Sequence, residues 1–524
     1  MFATHSNLDK LIKQPDTQFV IPVYQRNYDW TEKHCKVLLN DIMEAGKNKK
    51  EHFIGSIVYV TDNKPATSVK ELIVVDGQQR LTTITLIYLR LYKLLDEIGN
   101  QSLKDKIHEQ YLINKFASTP DKKIKLKPTA NNDKALKHIY DNVKISINEK
   151  SNVIDNYIFF EKNITQNNYE NVLEGLANLI FVDMALDRNI DDPQRIFESL
   201  NSTGLDLSQG DLIRNYILMK LNSQQQTVIY ENYWEYVEKD AKDESKNENM
   251  VSDFIRDFMT SEYGKIPNKN RVYEEFKEKY PIDNLNAFNK IKSYLEILKE
   301  YAGYYNKLLN PQNEDDKNIS LKLDNIKSLE VNVSYPFFLK IYKDYNDKII
   351  DKEKFIYIID LIESFVFRRF ICDVPTNAMN KIFMSLYKQI DKNNYIESLE
   401  KHLCNLRSAQ RFPKNDEVIS KLKEKNIYES INQKRKMYLF EKLEQGLGKT
   451  FINFSQTTYT IEHIFPQKPV KEWKKELNQK DYDIMQEKLH TIANLTISAN
   501  NGELGNKTFK EKQDMNVNNG EQGY

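Results

Sequence analysis

The stretch Tyr459-Thr-Ile-Glu-His-Ile-Phe-Pro-Gln467 holds the residues best suited to chemistry. Apolar and polar residues alternate along it as in a short strand, and Pro466 cannot continue a paired central strand. We therefore expect His463 at the end of the strand, beside Glu462. A neutral imidazole can take a proton from water while a carboxylate helps to hold a divalent metal, a suitable pair for hydrolysing a phosphodiester. Glu-His pairs are common, so the pair alone more often belongs to a core or a surface.

A second apolar run follows downstream, from Leu489 to Ile497, and predicts another strand. Asparagines and glycines at 500–506 predict a turn-rich loop, and Thr508 is suited to begin a helix. His490 lies inside the apolar run and is interpreted as packed core. The ββα-metal, or His-Me finger, nucleases have this layout: a strand with a histidine, a loop, a strand with an asparagine, and a helix.

Three motifs in this region resemble the DUF1524 family of HNH-like nucleases. They are E-H-I-x-P-Q at 462–467, N-L-T at 494–496 and N-x-x-L-x-N-x-x-F-x-x-K at 501–512, with Ala493 where the family usually has glycine. The resemblance implies a general base, metal ligands for a divalent ion expected to be Mg²⁺, and supporting residues. The general base would be His463, and the metal ligands would be Glu462 and Asn501. Asn494 would brace the loop bearing His463, and Asn506 and Lys512 would be the other supporting residues.

The end of the chain departs from that family pattern. Relatives continue past the F-x-x-K helix with a helical stretch containing a tryptophan and an arginine, whereas this sequence ends at Tyr524. A nuclease domain that is truncated, or that closes differently, is therefore expected. The alternative reading is an NTP-regulated DNA-binding or toxin-like defence protein whose nuclease domain is incomplete and inactive.

Composition sets the outer bounds. The 524 residues suffice for two to four domains, and 76 basic side chains balance 76 acidic ones. Contacts with DNA must therefore rely on local basic patches. The patches at 122–127 and 434–436 are interpreted as solvated surface, whereas the group Lys507, Lys510 and Lys512 lies beside the proposed active site and is the better candidate for contacting DNA.

The expected compartment is the cytoplasm. No apolar run approaches the ~20 residues that cross a bilayer, and the first ten residues lack the pattern of a signal peptide. The cysteines, Cys35, Cys372 and Cys404, are too few and too scattered for a disulfide framework or a zinc site. We expect no membrane partner.

Near the N-terminus, the residue pattern predicts strands that lead into a helix. Strands are predicted at 19–24, with Pro22 suggesting an edge position, at 52–60 and at 71–75. A helix capped by Asp29 or Thr31 would bury Val37, Leu38 and Ile42.

The polar turn Asp76-Gly-Gln-Gln-Arg80 opens directly into a predicted helix at 81–89. Helix N-terminal amides and an arginine can face an anion together, so the turn suits a phosphate. Asp-Gly is also a common tight turn, so a purely structural role stays open.

The motifs I-P-V-Y-Q-R-N-Y-D-W at 21–30, H-F-I-G-S at 52–56 and V-D-G-Q-Q-R-L-T at 75–82 resemble the DUF262 family, whose fold is similar to ParB and sulfiredoxin. Its members include parts of modification-dependent restriction systems such as GmrSD. The resemblance implies binding or hydrolysis of ATP or GTP, coupled to sensing modified DNA. The sequence contains no Walker-type glycine-rich loop. The matching nucleotide or sensor residues are Tyr24, Gln25, Arg26, Asp76, Gly77, Gln78, Gln79 and Arg80.

From 96 to 425 the sequence is mostly of helical type, and its frequent aromatic residues are interpreted as core. A further family-like motif contributes the possible site residues Asn201, Gly204 and Asp211, with Ser208 and Asp211 forming a capping-box-like helix start. A structural helix-turn-helix and a ligand contact are equally good readings of this motif. Arg368 and Arg369 are placed either against a phosphate or in internal salt bridges.

Together these observations predict an α+β chain that is mostly helical. Residues 1–95 would form a ParB-like sensor, 96–425 a helical middle domain and 426–524 an HNH-like nuclease. The predicted function is NTP-regulated, metal-dependent cleavage of modified DNA in phage defence. A homo-oligomer is also possible on this reading.

Overall fold

The computed structural model describes residues 2–61, 69–141, 151–187, 191, 194–196, 198, 207–283, 286–447, 459–498 and 501–515. They are mostly helical with a small mixed sheet, in agreement with the predicted α+β class. The chain divides into two compact units, Met1–Glu235 with Asn270–Glu296, and Tyr236–Lys269 with Ile297–Tyr524. No helix within the described ranges is both long enough and apolar enough to span a membrane.

The described strands are β1 (Phe2–Asn7), β2 (Thr17–Val20), β3 (His52–Thr61), β4 (Lys70–Asp76), β5 (Leu126–Lys127), β6 (Leu179–Leu186), β7 (Lys242–Asp243), β8 (Glu248–Asn249), β9 (Thr460–His463) and β10 (Leu495–Ser498). The described α-helices are α1 (Leu8–Ile12), α2 (Glu32–Asn48), α3 (Gln78–Glu97), α4 (Gln101–Ile107), α5 (Ala130–Tyr140), α6 (Asn152–Asn163), α7 (Tyr169–Ala177), α8 (Gln209–Leu218), α9 (Ser223–Ile229), α10 (Glu235–Asp240), α11 (Val251–Tyr263), α12 (Val272–Lys279), α13 (Ala287–Leu309), α14 (Lys317–Ser328), α15 (Tyr335–Asn346), α16 (Lys352–Ile371), α17 (Met379–Leu386), α18 (Tyr395–Asn405), α19 (Asn415–Glu424), α20 (Ile427–Ser430), α21 (Gln433–Leu447), α22 (Trp473–Glu476), α23 (Gln479–Glu487), α24 (Asn501–Leu504) and α25 (Phe509–Gln513).

The first unit is built on a mixed sheet with the strand order β1-β6-β3-β4-β2-β5. β6 pairs antiparallel with β1 and parallel with β3, so a strand from residues 179–186 completes the sheet that the N-terminal strands begin. Alternate residues of β3 and β4 enter different apolar clusters on the two faces: Ile57 and Val74 in one, Val58 and Val75 in the other. Burial on both faces explains why residues 57–60 of β3 and 72–75 of β4 are continuously apolar.

The N-terminal predictions hold in most places. The predicted strands at 52–60 and 71–75 correspond to β3 and β4, and Thr31 is the N-cap of α2. The first predicted strand is too long, because β2 ends at Val20, before Pro22. Val37 is wrong as a core residue: its side chain is 58% exposed, whereas Leu38 and Ile42 are buried. α3 begins at Gln78, three residues earlier than predicted, so Arg80 lies in its first turn.

In the second unit, aromatic side chains fill much of the helical core, as the sequence predicted. Phe254 packs against Tyr305 at a centroid distance of 5.3 Å, and Phe337, Phe355 and Phe365 are fully buried.

An antiparallel ribbon lies near the end of the second unit, with His463 of β9 opposite Leu495 of β10. The apolar run from Leu489 was wrongly predicted to be strand throughout, because Ile492–Asn494 forms a 3₁₀ turn and β10 begins only at Leu495. Two short helices follow the ribbon. Thr508 caps the second, α25, in a capping box with Glu511.

Candidate functional site

His463 occupies the last position of β9, where the sequence placed it. The residue is only 6% exposed. Its Nε2 lies 3.1 Å from Nδ1 of His490, its Nδ1 lies 3.4 Å from Nε2 of Gln467, and the ring of Tyr428 meets it edge to face at 4.4 Å. The imidazole is therefore held through both nitrogens and one ring face.

The surroundings of His463 disfavour its charged form. The pKa of its imidazole is lowered to about 4, chiefly by burial and in addition by the electrostatic effects of His490, Lys512 and Lys436. His463 is consequently neutral near pH 7. A neutral imidazole has a lone pair with which to accept a proton.

His490 was interpreted as packed core, and that interpretation is wrong. It lies in the turn before the 3₁₀ segment and is partly exposed, and its Nε2 is 3.4 Å from Oε1 of Glu429 on α20. The ring of Tyr428 stacks on it, with an interplanar angle of 13°. Glu429, His490 and His463 thus form a continuous chain of polar contacts. The signal available in the sequence was the histidine itself, but it lies inside the apolar run that begins at Leu489, and its apolar neighbours suggested a core position.

The hydrogen bonds around His463 define one consistent set of ring tautomers. The Gln467 amide nitrogen can only donate, so Nδ1 of His463 is the acceptor and its Nε2 carries the proton. That proton is donated to Nδ1 of His490, whose own Nε2–H then faces Glu429. The Glu429 carboxylate thus orients the His490 imidazole, which in turn orients that of His463. This arrangement leaves Nδ1 of His463 as the nitrogen that can accept a proton.

Lys512 makes an ion pair with Glu462 in the interior. Its ammonium donates to Oε1 of Glu462 at 2.6 Å and to the carbonyl oxygens of His463 at 3.0 Å and Ile464 at 3.1 Å. The side chain is 0% exposed and that of Glu462 is 4% exposed. Lys512 therefore cannot contact DNA, which corrects the predicted basic patch; Lys507 and Lys510 are exposed. All three ammonium protons tie α25 to the end of β9.

Asn494 lies between the chain segments on either side of His463. Its amide oxygen accepts from the backbone N–H of Phe465 at 2.7 Å, and its amide nitrogen donates to the carbonyl oxygens of Phe465 and Leu489, both at 2.9 Å. The residue is fully buried. These bonds connect the segment after β9 with the turn that carries His490.

Asn501, a predicted metal ligand, begins α24 and lies against β9. Its amide nitrogen donates to Oγ1 of Thr460 at 3.1 Å and to the carbonyl oxygen of Ile461 at 2.9 Å, so its amide oxygen points elsewhere. Asn506 is exposed in the turn after α24, and no described hydrogen bond joins it to the other site residues.

The donor atoms near β9 fit a hard divalent cation in their chemistry. Glu462 offers carboxylate oxygen and Asn501 amide oxygen, and Mg²⁺ is commonly bound by one or two protein oxygens with water completing its shell. In the part of the chain that is described, no group of three or more His, Cys, Asp or Glu side chains is arranged to hold a metal. A cation at Glu462 would share that carboxylate with the Lys512 ammonium.

In the first unit, the turn after β4 brings Asp76 and Arg80 together. Oδ2 of Asp76 accepts from Oγ of Ser56 at 3.1 Å and lies 3.3 Å from Nη2 of Arg80, whose Nη1 donates to the carbonyl oxygen of Ile54 at 2.6 Å. Gly55 permits this approach, because a β-carbon there would lie 2.3 Å from Nη1 of Arg80. Ser56 and Gly55 were quoted as motif residues but not predicted as part of the site.

Two predicted glutamines connect that turn to the segment following β2. Gln25 donates to the carbonyl oxygen of Val75 at 2.7 Å. The Gln79 amide oxygen accepts from the N–H groups of Asp29 at 3.0 Å and Trp30 at 3.2 Å. Gln78 is also buried, so the two adjacent glutamines are interior residues.

The remaining sensor residues surround this cluster. Gly77, with φ +96°, is the N-cap of the 20-residue helix α3, which has no side-chain cap. Tyr24 is buried, and its carbonyl oxygen accepts from Nε of Arg214 at 2.8 Å. Arg26 lies 3.7 Å from Asp29. The predicted residues at 24–26 and 76–80 are thus brought to one place.

Asp211 joins this region through Arg214, with which it makes a 2.8 Å ion pair. Ser208 and Asp211 form the predicted capping box at the start of α8. Burial raises the pKa of the Asp29 carboxyl; Arg26 opposes the rise, and the charge of Asp211 adds to it. Asn201 and Gly204 lie outside the described residues.

Arg368 and Arg369 form no ion pair with any described acidic side chain, so the alternative of internal salt bridges is wrong, and the contact with a phosphate stays a prediction. Arg368 donates to Oγ of Ser364 and Oδ1 of Asn415. Arg369 donates to backbone carbonyl oxygens only.

Comparison with known families agrees with both halves of this picture. The model of the GmrSD restriction endonuclease N-terminal domain matches residues 8–218. The model of the GmrSD restriction endonuclease C-terminal domain matches residues 412–520. A comparison with curated proteins found no significant match. The two matches together cover more than half of the sequence and confirm the resemblances drawn from the motifs at both ends. The chain therefore belongs to the GmrSD family of restriction endonucleases.

Proposed function

We propose that this protein is a modification-dependent restriction endonuclease of phage defence, in which residues 426–524 hydrolyse DNA and residues 1–95 sense modified DNA and a nucleoside triphosphate. The observation that carries the proposal is the neutral, buried His463, oriented through both ring nitrogens at the end of β9. Family membership implies DNA as the partner.

In the proposed reaction, Nδ1 of His463 accepts a proton from the attacking water. A water that replaces the Gln467 amide, 3.4 Å from this nitrogen, would be placed to transfer its proton. The imidazolium formed would donate through Nε2 to His490, and the Glu429 carboxylate would stabilise the positive charge on this pair. Asn494 and Lys512 would keep the end of β9 in place during this step.

Endonucleases of this kind generally use a divalent metal. Glu462 and Asn501 would hold it here, and it would supply charge neutralisation at the scissile phosphate. The fold is proposed to be that of a His-Me finger, on the evidence of the ribbon β9 and β10 followed by α24 and α25.

In the first unit, the uncapped N-terminus of α3 and Arg80 are proposed to face the phosphates of ATP or GTP. Asp76 is proposed to set the position of Arg80. Nucleotide binding there would change the cleavage rate, because an unregulated nuclease endangers its own host.

One observation favours the alternative, an inactive nuclease domain in an NTP-regulated defence protein. The buried ammonium of Lys512 already neutralises Glu462, the predicted carboxylate ligand of the metal. Cleavage of DNA by the intact protein, with and without a chelator, separates the two functions. Chelator-sensitive cutting supports the nuclease, and the absence of cutting at every metal tested supports the alternative.

The test of the base is His463→Ala in the intact chain. General-base loss typically lowers a rate by about 10²- to 10⁴-fold, and we expect that loss in cleavage while DNA binding is retained. A wild-type cleavage rate in the variant would remove His463 from the mechanism.

The test of the coupling is the cleavage rate of the intact wild-type chain on modified and plain DNA, measured across nucleotide concentrations. A cleavage rate that does not change with nucleotide concentration would remove the coupling.

A further inference from the structure

A cavity of about 440 Å³ lies in the second unit, between the ends of α14, α16 and α17. Its wall is mainly apolar and includes Val331, Val333, Val366, Phe370, Val374 and Met379. This volume falls within the range of small-molecule sites, which are also mostly apolar with a few polar groups. The cavity belongs to neither of the regions proposed above for cleavage and nucleotide binding.

Arg369 lines this cavity and is only 1% exposed. Its two terminal nitrogens donate to the carbonyl oxygens of Arg411 at 3.0 Å, and of Pro375 and Ala409 at 2.9 Å. Its Nε–H is buried and has no hydrogen-bond partner. Leaving a buried donor unsatisfied typically costs about 1–3 kcal/mol, and more for a charged group.

Besides the three carbonyl oxygens, the guanidinium of Arg369 lies 5.2 Å from the ring centroid of Phe365, but no described acidic side chain lies within ion-pair distance of it. Burial lowers the pKa of the guanidinium, and the neighbouring charge of Arg411 acts in the same direction. An arginine nevertheless stays protonated in proteins. The site therefore keeps a desolvated positive charge with a free donor beside an apolar space.

The other arginine of the wall, Arg435, lies near an acidic side chain. Arg435 donates through Nε to the carbonyl oxygen of Leu329 at 2.9 Å and lies 4.0 Å from Glu330. Glu330 also lines the cavity and accepts from Asn432. Of the two arginines in the wall, Arg369 is therefore the one with no acidic partner among the described residues.

We infer that the cavity binds a small amphipathic anion, whose oxyanion head pairs with Arg369 while its apolar body lies along the valine-rich wall. A carboxylate and a phosphate ester share the required chemistry, since both accept hydrogen bonds from a guanidinium. The exposed Thr376 and Asn377 at the rim mark where such a molecule would enter.

Isothermal titration of the intact protein tests this inference with four probes. Octanoate and octyl phosphate carry both parts of the proposed ligand, octanol lacks the charge, and inorganic phosphate lacks the apolar body. We expect at least one of the first two to bind about 10-fold more tightly than either of the last two. The inference would be overturned if octanol, or inorganic phosphate, bound as tightly as both charged octyl probes.

Variants locate the binding. Asn377→Trp places a large side chain at the rim and should weaken binding of the charged octyl probe by about 10-fold or more, as should Arg369→Gln. Arg368→Gln is the matched control, because the adjacent arginine does not line the cavity. If Arg369→Gln fails to fold, Asn377→Trp decides. Unchanged binding in Asn377→Trp, or an equal loss in Arg368→Gln, would show that the probe binds elsewhere.

Discussion

The ammonium of Lys512 lies 2.6 Å from the carboxylate of Glu462, and both side chains are withdrawn from solvent. The same ammonium also donates hydrogen bonds to two carbonyl oxygens at the end of β9. The pair thus links the last described helix to the strand that carries His463, and it neutralises a carboxylate that would otherwise be buried alone.

Lys512→Met should destabilise the second unit by about 3–5 kcal/mol, because it leaves the Glu462 charge buried without a partner. Adding Glu462→Leu should recover part of this loss without restoring cleavage. Urea unfolding of the single and double variants, with a cleavage assay, checks both statements. Additive losses in stability would contradict the pairing.

His490→Ala should lower cleavage by about 10- to 100-fold, since it removes the group that fixes the tautomer of His463. His490→Gln, which can still accept a hydrogen bond, should recover part of the rate. The control is His402→Ala, a histidine of the same unit on α18. Single-turnover cleavage rates measure the effect, and DNA affinity should not change. Equal rates in the two alanine variants would show that His490 has no role in cleavage.

Gly55→Ala should impair nucleotide hydrolysis as strongly as Arg80→Ala, although it removes no functional group. The added β-carbon would lie 2.3 Å from Nη1 of Arg80 and must displace the guanidinium. Gly99→Ala is the matched control: φ is positive at both glycines, +94° at Gly55 and +75° at Gly99, but nothing lies within 4 Å of a β-carbon added at Gly99. Phosphate release by the three variants is the measurement. Normal hydrolysis in both Gly55→Ala and Arg80→Ala would leave the Asp76–Arg80 turn with a structural role only.

Asp257 on α11 should make the stability of the second unit depend on pH. It lines a cavity of about 350 Å³, and burial raises the pKa of its carboxyl from 3.8 to about 8. Between these values the folded state holds a proton that the unfolded state has lost, so the free energy of unfolding falls as the pH rises from 5 to 8.

Asp257→Asn removes this titration, so its stability relative to the wild type should rise by about 3–4 kcal/mol as the pH rises from 5 to 8. Urea unfolding at several pH values gives the difference directly. A difference between variant and wild type that stays constant over this interval would show that Asp257 titrates normally.

Local patterns predicted the elements around both sites but not the contacts between distant segments. The proline after His463 marked the end of β9, and Thr508 marked the start of α25. The role of His490 could not be predicted, because it depends on Glu429 and Tyr428, which come from α20. Lys512 looked like a surface lysine for the same reason: its neighbours in sequence are polar, and only the fold buries it against β9.

The position of β6 has a consequence for biosynthesis. One edge of β3 pairs with residues 179–186. This edge therefore stays uncovered until the ribosome has synthesised the chain as far as Leu186, about twice the length of the 1–95 segment. An unpaired strand edge is a template for association with other chains. A fragment that stops near residue 95 would expose this edge permanently, and expression of the first unit should therefore extend beyond Leu186.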